Sequence, residues 1–189
     1  ADSNGAFEVT IYHSQQVSTS DLQNAQMVQE NTLQMTTVPC YTIAEFSGIK
    51  AFSVTDLPYL FLTDAEVDAY CDSDILQPYK DEFSEKTGVS IRGGFTNGWQ
   101  ALATIDSPCD TPAGIKGLKI RSQATDVYID TLNAWGANGT VVSFGEVFTA
   151  LQQGTVDGMV GTPQMIYDEG FYEPLQYIAD TYAFDNYHM

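Results

Sequence analysis

Residues 7–12, Phe7-Glu8-Val9-Thr10-Ile11-Tyr12, alternate apolar and polar side chains, the two-residue period of a strand with one buried face. Ser18-Thr19-Ser20-Asp21 then supplies capping hydroxyls and an acidic first turn, predicting a helix to about Asn31. Ala51-Phe52-Ser53-Val54 predicts a short extended segment. Asp56-Leu57-Pro58-Tyr59-Leu60-Phe61 is apolar but carries a proline, which disfavours helix and predicts extended chain. Thr63-Asp64-Ala65-Glu66 opens a short helix with its acids at the positive end. Residues 74–86 predict another, stopped by Gly88. Val89-Ser90-Ile91-Arg92-Gly93-Gly94-Phe95 predicts a strand running into an Asn97-Gly98 turn.

The second half keeps this rhythm. Thr111-Pro112 begins a turn of helix, and Leu118 to Arg121 is a short apolar strand ending on a cation. Residues 126–135 place Tyr128, Leu132 and Trp135 on one helical face, with Gly136 as the stop. Thr140-Val141-Val142 predicts a strand, and Ser143-Phe144-Gly145-Glu146 has the spacing of a capping box. The helix it opens ends at Gly154. A strand over 155–160 and a helix over 172–179 complete the pattern. Strands alternating with helices predict an α/β fold with a largely parallel sheet. The change of rhythm near Asn97 divides the chain into a first lobe, residues 1–97, and a second, residues 98–189. In such sheets ligands sit beyond the carboxyl ends of the strands, where Arg121, Phe144 and Gly161 fall.

Composition narrows the partners. Of 189 residues, 25 are acidic and 7 basic, a net charge of −18, which repels nucleic acid and anionic lipid. With 43% apolar residues a sizeable core is available, so the charge does not imply disorder. No apolar run reaches the ~18 residues of a membrane span. The start, Ala1-Asp2-Ser3-Asn4-Gly5-Ala6, is polar and no signal peptide, so the chain is either cytosolic or a mature or trimmed product. Cys40, Cys71 and Cys109 have no zinc or redox spacing and read as small buried thiols. An oxidising compartment would allow one disulfide, with one thiol left over.

Several segments together resemble a known family. They are Asp56-Leu57-Pro58-Tyr59-Leu60-Phe61, Asn97-Gly98, Gly117-Leu118-Lys119-Ile120-Arg121, Trp135-Gly136-Ala137-Asn138, the run from Phe144 to Gly158 containing Ala150-Leu151-Gln152 and Val156-Asp157-Gly158, and Phe171-Tyr172-Glu173. In this order they resemble the solute receptors of tripartite ATP-independent periplasmic (TRAP) transporters. The resemblance implies a two-lobed, class II-like periplasmic binding protein, here incomplete at both termini. It implies a periplasmic receptor that closes over a small organic acid and hands it to the TRAP membrane permease subunits. It implies that Arg121 pairs with the ligand carboxylate, that Phe144 packs on the ligand, and that Tyr41 contacts it. No cofactor is implied.

Two positions depart from the family pattern. The second arginine after the Asn-Gly turn is Gln100, and the ligand asparagine after Asp-Gly is Gly161, within Met159-Val160-Gly161-Thr162. The clamp is thereby reduced to Arg121. Trp99, Tyr41 and Phe144 then suit a more apolar or aromatic acid, or a zwitterion, with Gly161 and Thr162 shaping the wall. Arg121 has a competing role as a structural ion pair, and Phe144 as core. His13 and His188 are isolated, and no Ser/His/Asp order, HExxH, Walker loop or GxGxxG is present. Two other classes remain open: an enzyme on the same two-lobed fold, and an oligomerising fragment whose bare sheet edges associate.

Overall fold

The computed structural model describes residues 6–12, 16–18 and 20–189; His13 and Thr19 lie outside them. Helix α1 (Asp21–Gln29) starts where Ser20 accepts a hydrogen bond from the Gln23 amide at 3.2 Å. Helix α2 spans Cys40–Ser47, and Gly48, at φ 74°, ends it. A 3-10 turn follows at Lys50–Asp56, where an extended segment was expected. Phe52 and Thr55 are both buried there, so inward packing at a spacing of three residues overrides the β-prone sequence. Residues 57–60 make a turn, not an extended run, with Tyr59 at φ 60°.

Helix α3 (Asp64–Cys71) opens on a complete capping box: Thr63 accepts from the Glu66 amide at 3.3 Å, and Glu66 accepts from the Thr63 amide at 3.0 Å. Exposed caps of this kind are worth about 1 kcal/mol. Thr63→Ala should lower stability by about that amount, read as a shifted denaturant midpoint at constant m-value. Helix α4 (Gln77–Thr87) ends at Gly88, at φ 74°.

One five-stranded sheet organises the rest, in the order β3-β2-β4-β1-β5. The strands are β1 (Phe95–Thr104), β2 (Lys119–Ser122), β3 (Asn138–Val141), β4 (Gly158–Gly161) and β5 (Tyr177–His188). Helices α5 (Asp126–Ala134), α6 (Val147–Gln152) and α7 (Pro163–Asp168) connect them. Strand β2 is parallel to β3 and β4, whereas β1 runs antiparallel to both β4 and β5. The sheet is therefore mixed, not largely parallel.

Four further expectations are corrected. Residues 7–12 form no strand, and Phe7, Val9 and Ile11 are exposed: among the described residues no neighbouring strand pairs with them. The segment 89–94 is irregular, and β1 instead passes through Asn97-Gly98 as a bulge. The predicted helix at 172–179 is turn and then β5. Ser143 and Glu146 bond each other's side chains rather than backbone amides, so the segment starts as a 3-10 turn before α6.

The bulge is large. Trp99 pairs with Asp185 and Ala101 with Asp180, so two steps along β1 match 185 − 180 = 5 along β5. The extra residues include Tyr182, at φ 49°, and the buried Ala183 and Phe184. The Tyr59 amide donates to the Ala183 carbonyl at 2.8 Å, tying the turn after Asp56 to this bulge.

Buried apolar side chains form three clusters. One joins α2, the 3-10 turn, α3 and α4, with Phe52, Val67, Leu76 and Phe83 at its centre and Tyr187 reaching in from β5. The other two lie on the sheet's second-half side, around Tyr128 and Leu132 and around Val147, Leu151 and Met159. All three cysteines are free and buried.

Candidate functional site

Strand β2 is short and almost wholly buried, because parallel neighbours flank it on both sides. Its entry is pinned by the Lys119 amide donating to Asp157 Oδ2 at 2.7 Å. Its exit carries Arg121, between Thr140 on β3 and Met159 on β4. Only 3% of Arg121 is exposed. Its Nε donates to the Val142 carbonyl at 3.0 Å, while Nη1 is buried without a hydrogen-bond partner. Burial pushes its pKa down to about 10, and the nearby Tyr41 phenol partly offsets this. A guanidinium taken out of water without a carboxylate partner is costly, and its planar fork fits a carboxylate with two parallel bonds.

Tyr41 stands at the start of α2, its ring 6.4 Å from that of Tyr128 and edge-on to it. Tyr128 is fully buried on α5 and packs against Phe184 at 4.2 Å. Gln100, on β1, is 2% exposed; its side chain lies against the Tyr128 hydroxyl, and its Oε1 is unpartnered. Its backbone carbonyl accepts from Thr181 at 3.1 Å. Tyr41, Gln100 and Arg121, far apart in sequence, thus converge around Tyr128.

Two carboxylates that sequence reasoning did not select complete this cluster. Asp56, 3% exposed, ends the 3-10 turn with Oδ2 unpartnered. Burial, and then the charge of Asp185, push its pKa well up. Asp185, 1% exposed, sits in the β5 bulge and accepts from Thr96 at 2.6 Å through Oδ2, while Oδ1 is unpartnered. Burial pushes its pKa up to about 6. The signal was present: each acid interrupts an apolar stretch, Val54-Thr55-Asp56-Leu57 and Ala183-Phe184-Asp185.

The remaining candidates lie around this cluster or turn from it. Gly161 ends β4 opposite Ala101, where a β-carbon would strike Met159 and Met165. Thr162 is buried and caps α7 by accepting from the Met165 amide at 3.3 Å. Its methyl faces Gly98 in the β1 bulge. Phe144 follows the Val142 carbonyl that Arg121 uses and packs edge-on against Phe171 at 5.7 Å. Trp99 points elsewhere: its indole N–H donates to Asp64 on α3 at 2.7 Å, and its ring lies 6.2 Å from Tyr182. A separate cleft of about 360 Å³ opens by the start of β2, lined by Ile105, Asp106, Leu118, Leu151 and Asp157, and it contains none of these candidates.

The model of the bacterial extracellular solute-binding proteins, family 7 (DctP), matches residues 1–188. The C4-dicarboxylate-binding periplasmic protein DctP of Rhodobacter capsulatus is 29% identical over 168 residues, 88% of this chain and 49% of that protein. A TRAP periplasmic solute-binding protein from Shewanella oneidensis, with bound succinate, superposes with a TM-score of 0.87 at 27% identity, covering 98% of this chain and 59% of that one. One from Chromohalobacter salexigens, with bound D-glucuronate, gives 0.88 at 23% identity, covering 98% and 60%, a likeness of fold. The chain spans between 37% and 49% of the length of the curated relatives it matches.

Proposed function

Because the chain belongs to family 7 of the bacterial extracellular solute-binding proteins, a family of transport receptors, we propose that it forms the ligand-capturing part of a periplasmic TRAP solute receptor. In this reading it binds a small organic carboxylate and passes it to the membrane permease subunits. The observation that carries it is Arg121 Nη1: a buried cationic donor at a strand's carboxyl end, with no partner among the described residues.

Arg121 takes the ligand carboxylate through Nη1, held in place by the Nε bond to Val142. Tyr41 lines the same space. Gln100 offers an uncharged acceptor where a second cation would have gripped a second carboxylate. Gly161 lets Met159 and Met165 pack close against the end of β4, and Thr162 holds the wall by capping α7. Phe144 and Trp99 reach the ligand's body only when their contacts with Phe171 and Asp64 yield. Residues 1–97 and 98–189 act as two lobes, supported by the separation of the first apolar cluster from the other two and by β1 and β5 crossing between them. Closure removes water from the ion pair and strengthens it.

The test compares acids with neutral counterparts. D-glucuronate or succinate should raise the melting temperature of the unaltered chain in a dose-dependent way, while D-glucose and succinamide should not. Arg121→Ala should abolish the response while keeping the native circular-dichroism spectrum. An equal response to the neutral compounds, or one surviving Arg121→Ala, would overturn the reading.

A further inference from the structure

The cluster around Tyr128 holds more acceptors than a carboxylate needs. Asp56 Oδ2, Asp185 Oδ1 and Gln100 Oε1 are all buried and all without a hydrogen-bond partner. They come from the 3-10 turn, the β5 bulge and β1. The Tyr128 hydroxyl and Arg121 Nη1, both able to donate, are buried and unpartnered as well. Tyr41 joins the two ends: its phenol lies in the field of Arg121 and of Asp56, and its ring faces Tyr128. The Tyr128 hydroxyl in turn feels both Asp56 and Asp185. One end of this polar space therefore wants an anion, and the other is a wall of acceptors with two carboxylates.

Resting on the proposed carboxylate capture by Arg121, we infer that this receptor selects amino-carboxylates, with the ligand's ammonium seated against Asp56, Asp185 and Gln100. An ammonium carries three donors and one positive charge, which supplies the wall with both missing things. A dicarboxylate would instead bring its second anion toward two buried carboxylates. Like-charge juxtaposition of this kind suppresses the wrong ligand. Gln100 fits the same logic, since a cation there would compete with the ligand's own. The acceptors are buried in the present conformation, so entry requires the turn bearing Asp56 to part from β1 and β5.

The experiment is isothermal titration at pH 8 with matched pairs: 4-aminobutyrate against succinate, and 5-aminopentanoate against glutarate. At least one amino acid should bind the unaltered chain tenfold or more tighter than its dicarboxylate partner. Asp56→Asn and Asp185→Asn should each shrink that ratio to within about twofold and improve dicarboxylate binding. The comparison on the unaltered chain decides the matter even if a variant fails to fold. Equal or tighter dicarboxylate binding there would overturn this selectivity, and so would a ratio unchanged in both variants. Dicarboxylate binding that depends on Arg121 but shows no amino preference would sink this inference alone. Failure of all four acids to bind would overturn it together with the reading it rests on.

Discussion

Ligand-free, an Arg121→Met chain should unfold at a higher temperature than the unaltered one, and carboxylates should no longer move its transition. Moving an ion the size of guanidinium out of water costs several kcal/mol even after relaxation. Arg121 recovers little of that, with one bond to Val142 and one buried nitrogen left bare. Its lowered pKa has the same cause, burial disfavouring the charged form. Methionine is unbranched and adaptable and fills most of the same volume without a charge. Losing the Val142 bond costs about 1 kcal/mol. The net expectation is a gain of about 1–3 kcal/mol, or roughly 2–4 °C per kcal/mol for a chain of this size. Affinity for carboxylates should fall at least about 100-fold, the loss of a charge-assisted hydrogen bond in a site without water. A residue kept for structure would do the reverse, and a methionine variant that melts earlier would identify Arg121 as structural. Differential scanning calorimetry with and without succinate or glucuronate reads both halves of the prediction.

How much of this was legible in the sequence depended on how local each cause is. The caps and stops, Thr63 with Glu66 and the glycine at 88, are set within four residues and were read correctly. So were β2 and α5, whose patterns are short and clean. The failures share a non-local cause. Phe7, Val9 and Ile11 have a strand's alternation, but a strand exists only against a neighbour. The segment at 172–179 looks helical in isolation, yet Tyr177 to Ala179 pair with Leu102 to Thr104. The β1–β5 bulge, which brings Asp185 beside Trp99 and Thr96, depends on register across about ninety residues. Arg121 could be found because it closes a short apolar strand in a chain with 7 basic residues against 25 acidic ones. Asp56 and Asp185 were missed, because an acid that interrupts an apolar stretch is still one among 25 until burial singles it out.

The same two acids should leave a mark on stability against pH. Asp185 has an ordinary carboxylate pKa of 3.8 when unfolded and one of about 6 when folded, raised by burial. Between those values the folded chain holds a proton that the unfolded chain has released. Stability from this group is therefore full below pH ~4 and is lost as pH rises through 6. Asp56 shifts in the same direction, through burial and the charge of Asp185. His188 opposes them. It is half-buried, stacked on Phe95, and lowered to about 4 by desolvation, so its contribution is present above pH ~6.5 and lost as pH falls toward 4. The raw melting curve mixes these signs, but the difference between the unaltered chain and Asp185→Asn removes the histidine. Asparagine keeps the shape and can still accept from Thr96. The variant should match the unaltered chain near pH 4 and exceed it by about 1–2 kcal/mol at pH 7.5, after allowance for solvent screening. Thermal unfolding at half-unit intervals from pH 4 to 8 measures this. A difference that stays flat across the range would mean that Asp185 is already matched by a partner in the fold. It would then be unavailable to a ligand's ammonium, so the pH profile of one variant also weighs on the inferred preference for amino-carboxylates.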